Sequence, residues 1–167
     1  MKRAEAEKLI GTRFETWSQA NGIYTGTLVE VVSKSKGSPW RGKILVDGIL
    51  APAQHFEMGQ ACRRGARVGE VIDIGGISLI PTEKTGIQDY AEVLRSAIIV
   101  QEDQLETATN PRYTWAIIGF SDGYAAALEC ELERQETGVW DRKKLVYCYI
   151  EIVKKRKEQE ESGGELP

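Results

Sequence analysis

The stretch PWRGKILVDG (residues 39–48) decides how the first half of the chain is interpreted. Successive side chains of a β-strand point to opposite faces, so the two parities of this stretch form separate faces. The even positions are Trp40, Gly42, Ile44, Val46 and Gly48, and the odd positions are Arg41, Lys43, Leu45 and Asp47. The largely apolar even set predicts a half-buried strand whose odd face carries Arg41 and Lys43 into solvent.

Glycine-bearing turns surround this strand. Eleven glycines lie in residues 1–82 and six in residues 83–167. We expect a short helix over residues 2–9, strands over residues 12–17, 23–32 and 68–74, and a hairpin turn at Gly75-Gly76 that leads into residues 77–80. Several short strands separated by glycine turns are typical of a small antiparallel β-barrel, either SH3-like or OB-like.

The second half has a helical period. Apolar residues recur at steps of three and four from residue 88 or 89 onward. Asn110-Pro111 predicts a helix start, because asparagine accepts a hydrogen bond as N-cap and proline fits the first turn. Gly138 predicts the end of that helix, and Asp141 caps the next one. A break near Gly123 is an alternative to one continuous helix.

These patterns predict an α+β protein. A small β-barrel with a short N-terminal helix would occupy residues 1–82. A helical hairpin or three-helix bundle would occupy residues 83–160, either packed against the barrel or self-associating, and residues 161–167 would form a disordered tail.

Composition excludes several classes of protein. Residues 1–82 carry a charge of +3 and residues 83–167 a charge of −6, and +3 is far below what obligate DNA-binding domains display. The three cysteines, Cys62, Cys130 and Cys148, have no metal-binding or disulfide spacing. No apolar run is long enough for a secretion signal or a membrane span, and we therefore expect a cytoplasmic protein.

No residue pattern predicts catalysis, a metal or a cofactor. His55 and Cys62 form an isolated pair that lacks the further ligands of a zinc site. No nucleophile and orienting carboxylate accompany His55, and no phosphate-binding glycine loop lies between a strand and a helix. The sequence therefore predicts no catalytic residues, no metal and no cofactor.

The candidate binding surface combines an aromatic ring with basic side chains. Arginines bind phosphate groups in a bidentate manner, and an aromatic ring can stack on a base. The predicted residues are Trp40, Arg41, Lys43, Arg63, Arg64 and Arg67. Trp40 shares the parity of Ile44 and Val46, and it is therefore either a core residue or a binding residue.

The function predicted from these patterns is that of a non-enzymatic interaction or adaptor protein. It would bind a protein partner through the barrel surface, self-associate through its helices, or do both. The first alternative is a nucleic-acid-binding barrel that uses the basic surface, and the second is an enzyme of unknown class. A membrane partner is not expected, and the pattern leaves a small-molecule ligand open.

Overall fold

The structure, a computed structural model, describes residues 2–32, 40–55, 64–75 and 79–163. Helices and strands follow one another in an α+β arrangement. The elements are α1 (Arg3–Glu7), β1 (Arg13–Ser18), β2 (Gly22–Val32), β3 (Arg41–Ala51), β4 (Val71–Gly75), β5 (Ile80–Pro81), α2 (Tyr90–Thr107), α3 (Pro111–Thr137) and α4 (Arg142–Glu161). The predicted α+β class, with a sheet region before C-terminal helices, is confirmed.

The chain forms two compact units. The sheet unit comprises Met1–Ala53 and Gly65–Val93, and the helical unit comprises Gln54–Arg64 and Leu94–Pro167. The division falls inside α2. Gln54, His55 and Arg64 belong to the helical unit although they lie between β3 and β4 in the sequence.

The strands form one antiparallel sheet in the order β4-β3-β2-β1-β5. Within the described residues this ladder is open, with β4 and β5 at its edges. The predicted closure into a barrel is not confirmed by these hydrogen bonds. β5 is only two residues long and contains Pro81, which fits an edge because proline cannot donate to a further strand.

The predicted hairpin between residues 68–74 and 77–80 is wrong in its pairing. β4 pairs with β3, and β5 pairs with β1. The two segments flanking the glycine pair therefore go to opposite edges of the sheet. Gly76 and the rest of residues 76–78 lie outside the described residues. The apolar pattern identified the strands, whereas their partners depend on contacts far apart in the sequence.

The opening stretch forms the predicted half-buried strand, and this strand is an interior one of the sheet. β3 lies between β2 and β4, and its even positions from Gly42 to Gly48 are buried. Arg41 and Leu45 are exposed, and Lys43 and Asp47 are half-buried. A Cβ atom at Gly42 would lie 2.9 Å from the Trp40 ring and 2.9 Å from Leu28 Cδ1, so the missing side chain makes room for the tryptophan.

A connecting segment crosses β3 before α2 begins. Ile49 and Ile87 exchange both backbone hydrogen bonds at 2.8 Å. Next to them, a Cβ atom on Gly86 would lie 2.6 Å from the Gly48 carbonyl carbon. Only glycine allows the two backbones to approach this closely. The crossing holds the connecting segment against β3.

The helical boundaries agree with their sequence signals. The Asn110 side chain accepts a hydrogen bond from the Arg112 backbone N–H at 3.0 Å, and Asp141 caps α4 through Lys143 N–H at 2.9 Å. Gly138 ends α3 with φ +80°, the left-handed conformation that glycine adopts readily. α3 runs unbroken through Gly123, so the alternative of a break there is wrong.

α3 and α4 pack as an antiparallel pair. Lys144 Nζ lies 2.8 Å from Glu133 Oε2 close to the link, and Arg156 Nη2 lies 2.5 Å from Asp122 Oδ1 farther along. Residues near the link contact each other, and so do residues farther from it on both helices. This pattern requires that the two helices are antiparallel. The buried side of the pair contains Ala126, Ala127, Cys130, Leu145 and Cys148.

Candidate functional site

Trp40 is a core residue of the sheet unit. Its side chain is 1% exposed, and it packs over Gly42 on the inner face of β3. Trp40 is therefore buried together with Ile44 and Val46, the residues that share its strand parity. A ring with this burial offers no exposed surface on which a base could stack. Trp40 therefore has no accessible ring face for the binding role predicted for it.

Arg67 also points into the sheet unit. It is 6% exposed, and its guanidinium carbon lies 3.6 Å from the centroid of the Tyr90 ring. The Arg67 Nη1 group donates to the Ala66 carbonyl at 3.0 Å, and the Tyr90 hydroxyl accepts from Ala53 N–H at 3.0 Å. A cation over an aromatic ring is attracted by the ring's electron-rich face. Arg67 thus ties its own loop to the start of α2.

Arg41 and Lys43 lie together on the outer face, as their parity predicted. Lys43 Nζ, however, is 3.2 Å from Glu30 Oε2 on β2, and Asp73 of β4 is the Cα partner of Lys43. Acidic neighbours on both sides reduce the positive potential of this part of the sheet. Arg64 is exposed but belongs to the helical unit, and Arg63 lies outside the described residues. Among the described candidates, the structure brings only Arg41 and Lys43 to one face.

An exposed apolar surface lies on the outer face of the same sheet. Trp17 is 61% exposed, its direct cross-strand partner Ile23 is 36% exposed, and Ile80 is 62% exposed. Ile80 is the partner of Glu15 and is therefore a diagonal neighbour of Trp17, within reach of a large aromatic side chain. We call Trp17, Ile23 and Ile80 the Trp17 patch. It spans β2, β1 and β5.

The Trp17 patch was missed in the sequence, although a signal for it exists. Trp17 shares its strand parity with Arg13 and Glu15, whereas the buried Phe14 and Thr16 occupy the other parity. A tryptophan on the charged side of an alternating strand is unusual, because large aromatic residues dominate cores and interfaces. The alternation of β1, read together with its neighbours, would have placed this ring in solvent.

Two ion pairs involve residues of β1 that share the parity of Trp17. Lys84 Nζ lies 2.9 Å from Glu15 Oε2 beside Trp17. Arg13 binds Asp47 in a bidentate manner, with Nε and Nη2 each 2.7 Å from a carboxylate oxygen, and Thr25 donates to Asp47 Oδ1 at 2.6 Å. The polar cluster of Arg13, Thr25 and Asp47 therefore joins β1, β2 and β3. Apolar residues beside a charged border are the general composition of a protein-binding surface.

The pKa of Asp47 lies below its ordinary value. The hydrogen bond from Arg13 is the largest cause, burial opposes it, and the hydrogen bond from Thr25 acts in the same direction as Arg13. Both favourable contacts stabilise the charged carboxylate. The cluster should therefore contribute to folding only while Asp47 is ionised.

The variant Asp47→Asn is expected to lower the free energy of unfolding by about 1 kcal/mol at neutral pH, since water screens a half-exposed ion pair. A folded-state pKa below the unfolded value gives a contribution that is present above about pH 4 and disappears as the pH falls through the folded-state pKa. Urea unfolding of wild type and variant at neutral and acidic pH measures the difference. A difference that is equal at both pH values would contradict the assignment.

The histidine and the two described cysteines of the helical unit are buried. His55 is 0% exposed, and its ring centroid lies 5.9 Å from that of Trp140 and 6.3 Å from that of Tyr124. Burial raises the pKa of Cys130 to about 12 and that of Cys148 to about 11, which keeps both as thiols. Cys62, the residue paired with His55 in the sequence, lies outside the described residues. Across the described ranges, no cluster of three or more His, Cys, Asp or Glu residues could hold a metal ion.

Comparison with known proteins shows a distant structural likeness. No protein-family model matches the chain, and no curated protein is similar to it. Among solved structures, the chain is similar to the X-ray crystal structure of kinase-associated protein B from Bacillus cereus, with 18% sequence identity and a TM-score of 0.45. The match covers 78% of this chain and 97% of that chain. A likeness this distant carries no conclusion about function.

The helices also bear on the membrane question. In the part of the chain that the structure describes, no helix combines the length and the apolar character needed to cross a bilayer.

Proposed function

We propose that this chain is a non-enzymatic interaction protein that binds a protein partner through the Trp17 patch. The exposure of Trp17, 61%, between two exposed isoleucines is the observation that carries the proposal. Contiguous exposed apolar surface on a folded domain is a mark of interaction sites. Tryptophan is also among the residues that most often dominate the energy of protein interfaces.

The position of the patch supports a rigid docking surface. Its three residues lie on paired strands, and the bidentate Arg13–Asp47 contact joins the strands next to it. Side chains that are already ordered lose less conformational entropy when a partner binds. Truncation of Trp17 should therefore cost about 2 kcal/mol of binding free energy or more.

We further infer that the sheet is of the SH3-like type. In the order β4-β3-β2-β1-β5, the first four strands are sequential neighbours, as in a meander, whereas the OB-fold is a Greek-key barrel. A cavity of about 250 Å³ has lining residues from both β1 and β4, which are not neighbours in the sheet. Strong curvature that brings Thr16 towards Ile74 supports this inference.

Nucleic-acid binding has weaker support. Arg41 and Lys43 share a face, but Glu30 and Asp73 flank Lys43. Binding to phosphates would weaken steeply as salt concentration rises. A nucleic-acid complex that weakens with salt and is lost in Arg41→Ala would favour this alternative over a protein partner.

Site-specific photocrosslinking in living cells tests the main proposal. A photoreactive amino acid at position 17 is expected to form adducts with one protein, and the same group at the exposed position Lys8 is the control. With the captured partner purified, Trp17→Ala should raise the dissociation constant of the complex by about 30-fold, which is the usual effect of truncating a dominant interface residue. Equal adducts at both positions, or an unchanged dissociation constant, would contradict the proposal.

A further inference from the structure

The helical unit contains a wide groove that the interaction proposal does not use. It has a volume of about 590 Å³, and α2, α3 and α4 all contribute to its lining. Leu105, Ile118 and Ile152, one from each helix, supply its apolar surface. Grooves of this size between helices of a bundle commonly hold ligands or partner segments.

The walls of the groove carry opposite charges. Glu102 and Glu106 of α2 lie on one side, and Lys155 and Arg156 of α4 lie on the other. Arg156 is already paired with Asp122, whose side chain is only 4% exposed. Lys155 remains exposed on the basic wall. An occupant of this groove should therefore be apolar in the centre and carry a positive group towards α2.

The first turns of α3 have the complementary character. Trp115 is 79% exposed and Tyr113 is 67% exposed, whereas the outside of a solvated helix is normally polar. Trp115 precedes Ile118 by one helical turn, so the two side chains lie on the same side of α3. Arg112 is the one charged residue in the segment from Pro111 to Ser121. This segment offers the aromatic and the positive group that the groove requires.

We propose that two copies of this chain associate through this groove. Trp115 of each copy inserts against the apolar lining of the other, between Leu105 and Ile152. Arg112 of each copy approaches Glu102 and Glu106 of the other. The occupant is thus the N-terminal part of α3 from a second copy.

The arrangement on α3 favours a second copy over an unrelated helix. An isologous interface requires that one surface carries both complementary parts. Here Trp115 and the groove residue Ile118 are neighbours on one helix, so a two-fold axis close to them places each tryptophan in the opposite groove. The same axis brings the acidic wall of one copy to Arg112 of the other. One two-fold rotation therefore pairs Trp115 with the apolar lining and Arg112 with the acidic wall.

Sedimentation of the full chain over a concentration series tests the proposal. Wild type is expected to form a dimer. Trp115→Ala should raise the dissociation constant of that dimer by about 30-fold or more, as expected for a tryptophan at the centre of an interface. Tyr147→Ala is the matched control, because it removes an aromatic residue of α4 that is 65% exposed and does not line the groove, and it should leave the dissociation constant unchanged. Circular dichroism of both variants checks that α3 remains folded.

A charge exchange provides a second, independent readout. Arg112→Glu should weaken the dimer by about 10-fold, and adding Glu102→Arg and Glu106→Arg to the same chain should restore it, because the attraction is then reversed in sign. A chain that stays monomeric up to about 1 mM would overturn the proposal. Unchanged association in Trp115→Ala would also overturn it. Partner capture at position 17 is a separate measurement, so failure of one proposal leaves the other intact.

Discussion

The variant Gly26→Ala is expected to lose about 3 kcal/mol of unfolding free energy, because a methyl group has no space at this point of the sheet. A Cβ atom on Gly26 would collide with the Leu45 carbonyl oxygen and the Ile44 Cγ2 atom, and it would lie 3.0 Å from the Leu45 carbonyl carbon. The backbone atoms belong to β3, an interior strand that is paired on both sides and cannot yield as a flexible side chain would. The β2–β3 ladder must therefore move apart.

Gly75→Ala is the matched control for this prediction. Gly75 also lies in a strand, but no described atom comes within 4 Å of a Cβ atom built there. Its substitution should change the free energy of unfolding by less than about 0.5 kcal/mol. Urea unfolding followed by tryptophan fluorescence measures both variants. Similar stability of the two variants would show that the approach between β2 and β3 is looser than the structure indicates.

The variant Arg134→Met is expected to cost about 3 kcal/mol, because it removes the positive partner of a fully buried carboxylate. The Glu131 side chain is 0% exposed, and Arg134 donates to it through Nε at 3.0 Å and through Nη2 at 2.6 Å. Methionine keeps an unbranched apolar stem of similar shape. The loss therefore reports the removal of the Arg134 charge beside the buried Glu131 carboxylate more than a loss of packing.

Two further variants separate charge from packing at this site. Arg3→Met removes the same side chain from the exposed Arg3–Glu7 pair, where both side chains are nearly half exposed, and it should cost less than about 0.5 kcal/mol. The double variant Glu131→Leu with Arg134→Met leaves no buried charge and should recover much of the lost stability. If Arg134→Met costs no more than Arg3→Met, the buried pair contributes nothing specific to the fold.

Local signals in the sequence identified the elements with good accuracy. The alternation of residues 40–48 placed Arg41 and Lys43 on the outer face, and Asn110-Pro111, Gly138 and Asp141 marked the helix boundaries. Each of these signals acts between residues a few positions apart. A cap or a left-handed glycine satisfies backbone groups of its own turn, and strand parity follows from the geometry of the extended chain.

Strand pairing was beyond the reach of such signals. The Gly75-Gly76 pattern is compatible with a hairpin, yet β4 pairs with β3 and β5 pairs with β1. A glycine pair permits a tight turn without requiring one. The choice among partners depends on which apolar faces meet across the whole sheet, and no segment of the chain encodes that choice alone.

At the candidate site, too, nearby residues in the sequence predict the elements, whereas distant residues determine which side chains are exposed. Composition and alternation indicated exposed basic residues and a helical surface, but Arg67 lies under Tyr90 and Trp40 lies over Gly42. The accessible tryptophans are Trp17 and Trp115 instead. Whether an arginine faces solvent or an aromatic ring depends on residues more than twenty positions away. The sequence is sufficient for the elements and their faces, and tertiary packing selects which side chains remain available to a partner.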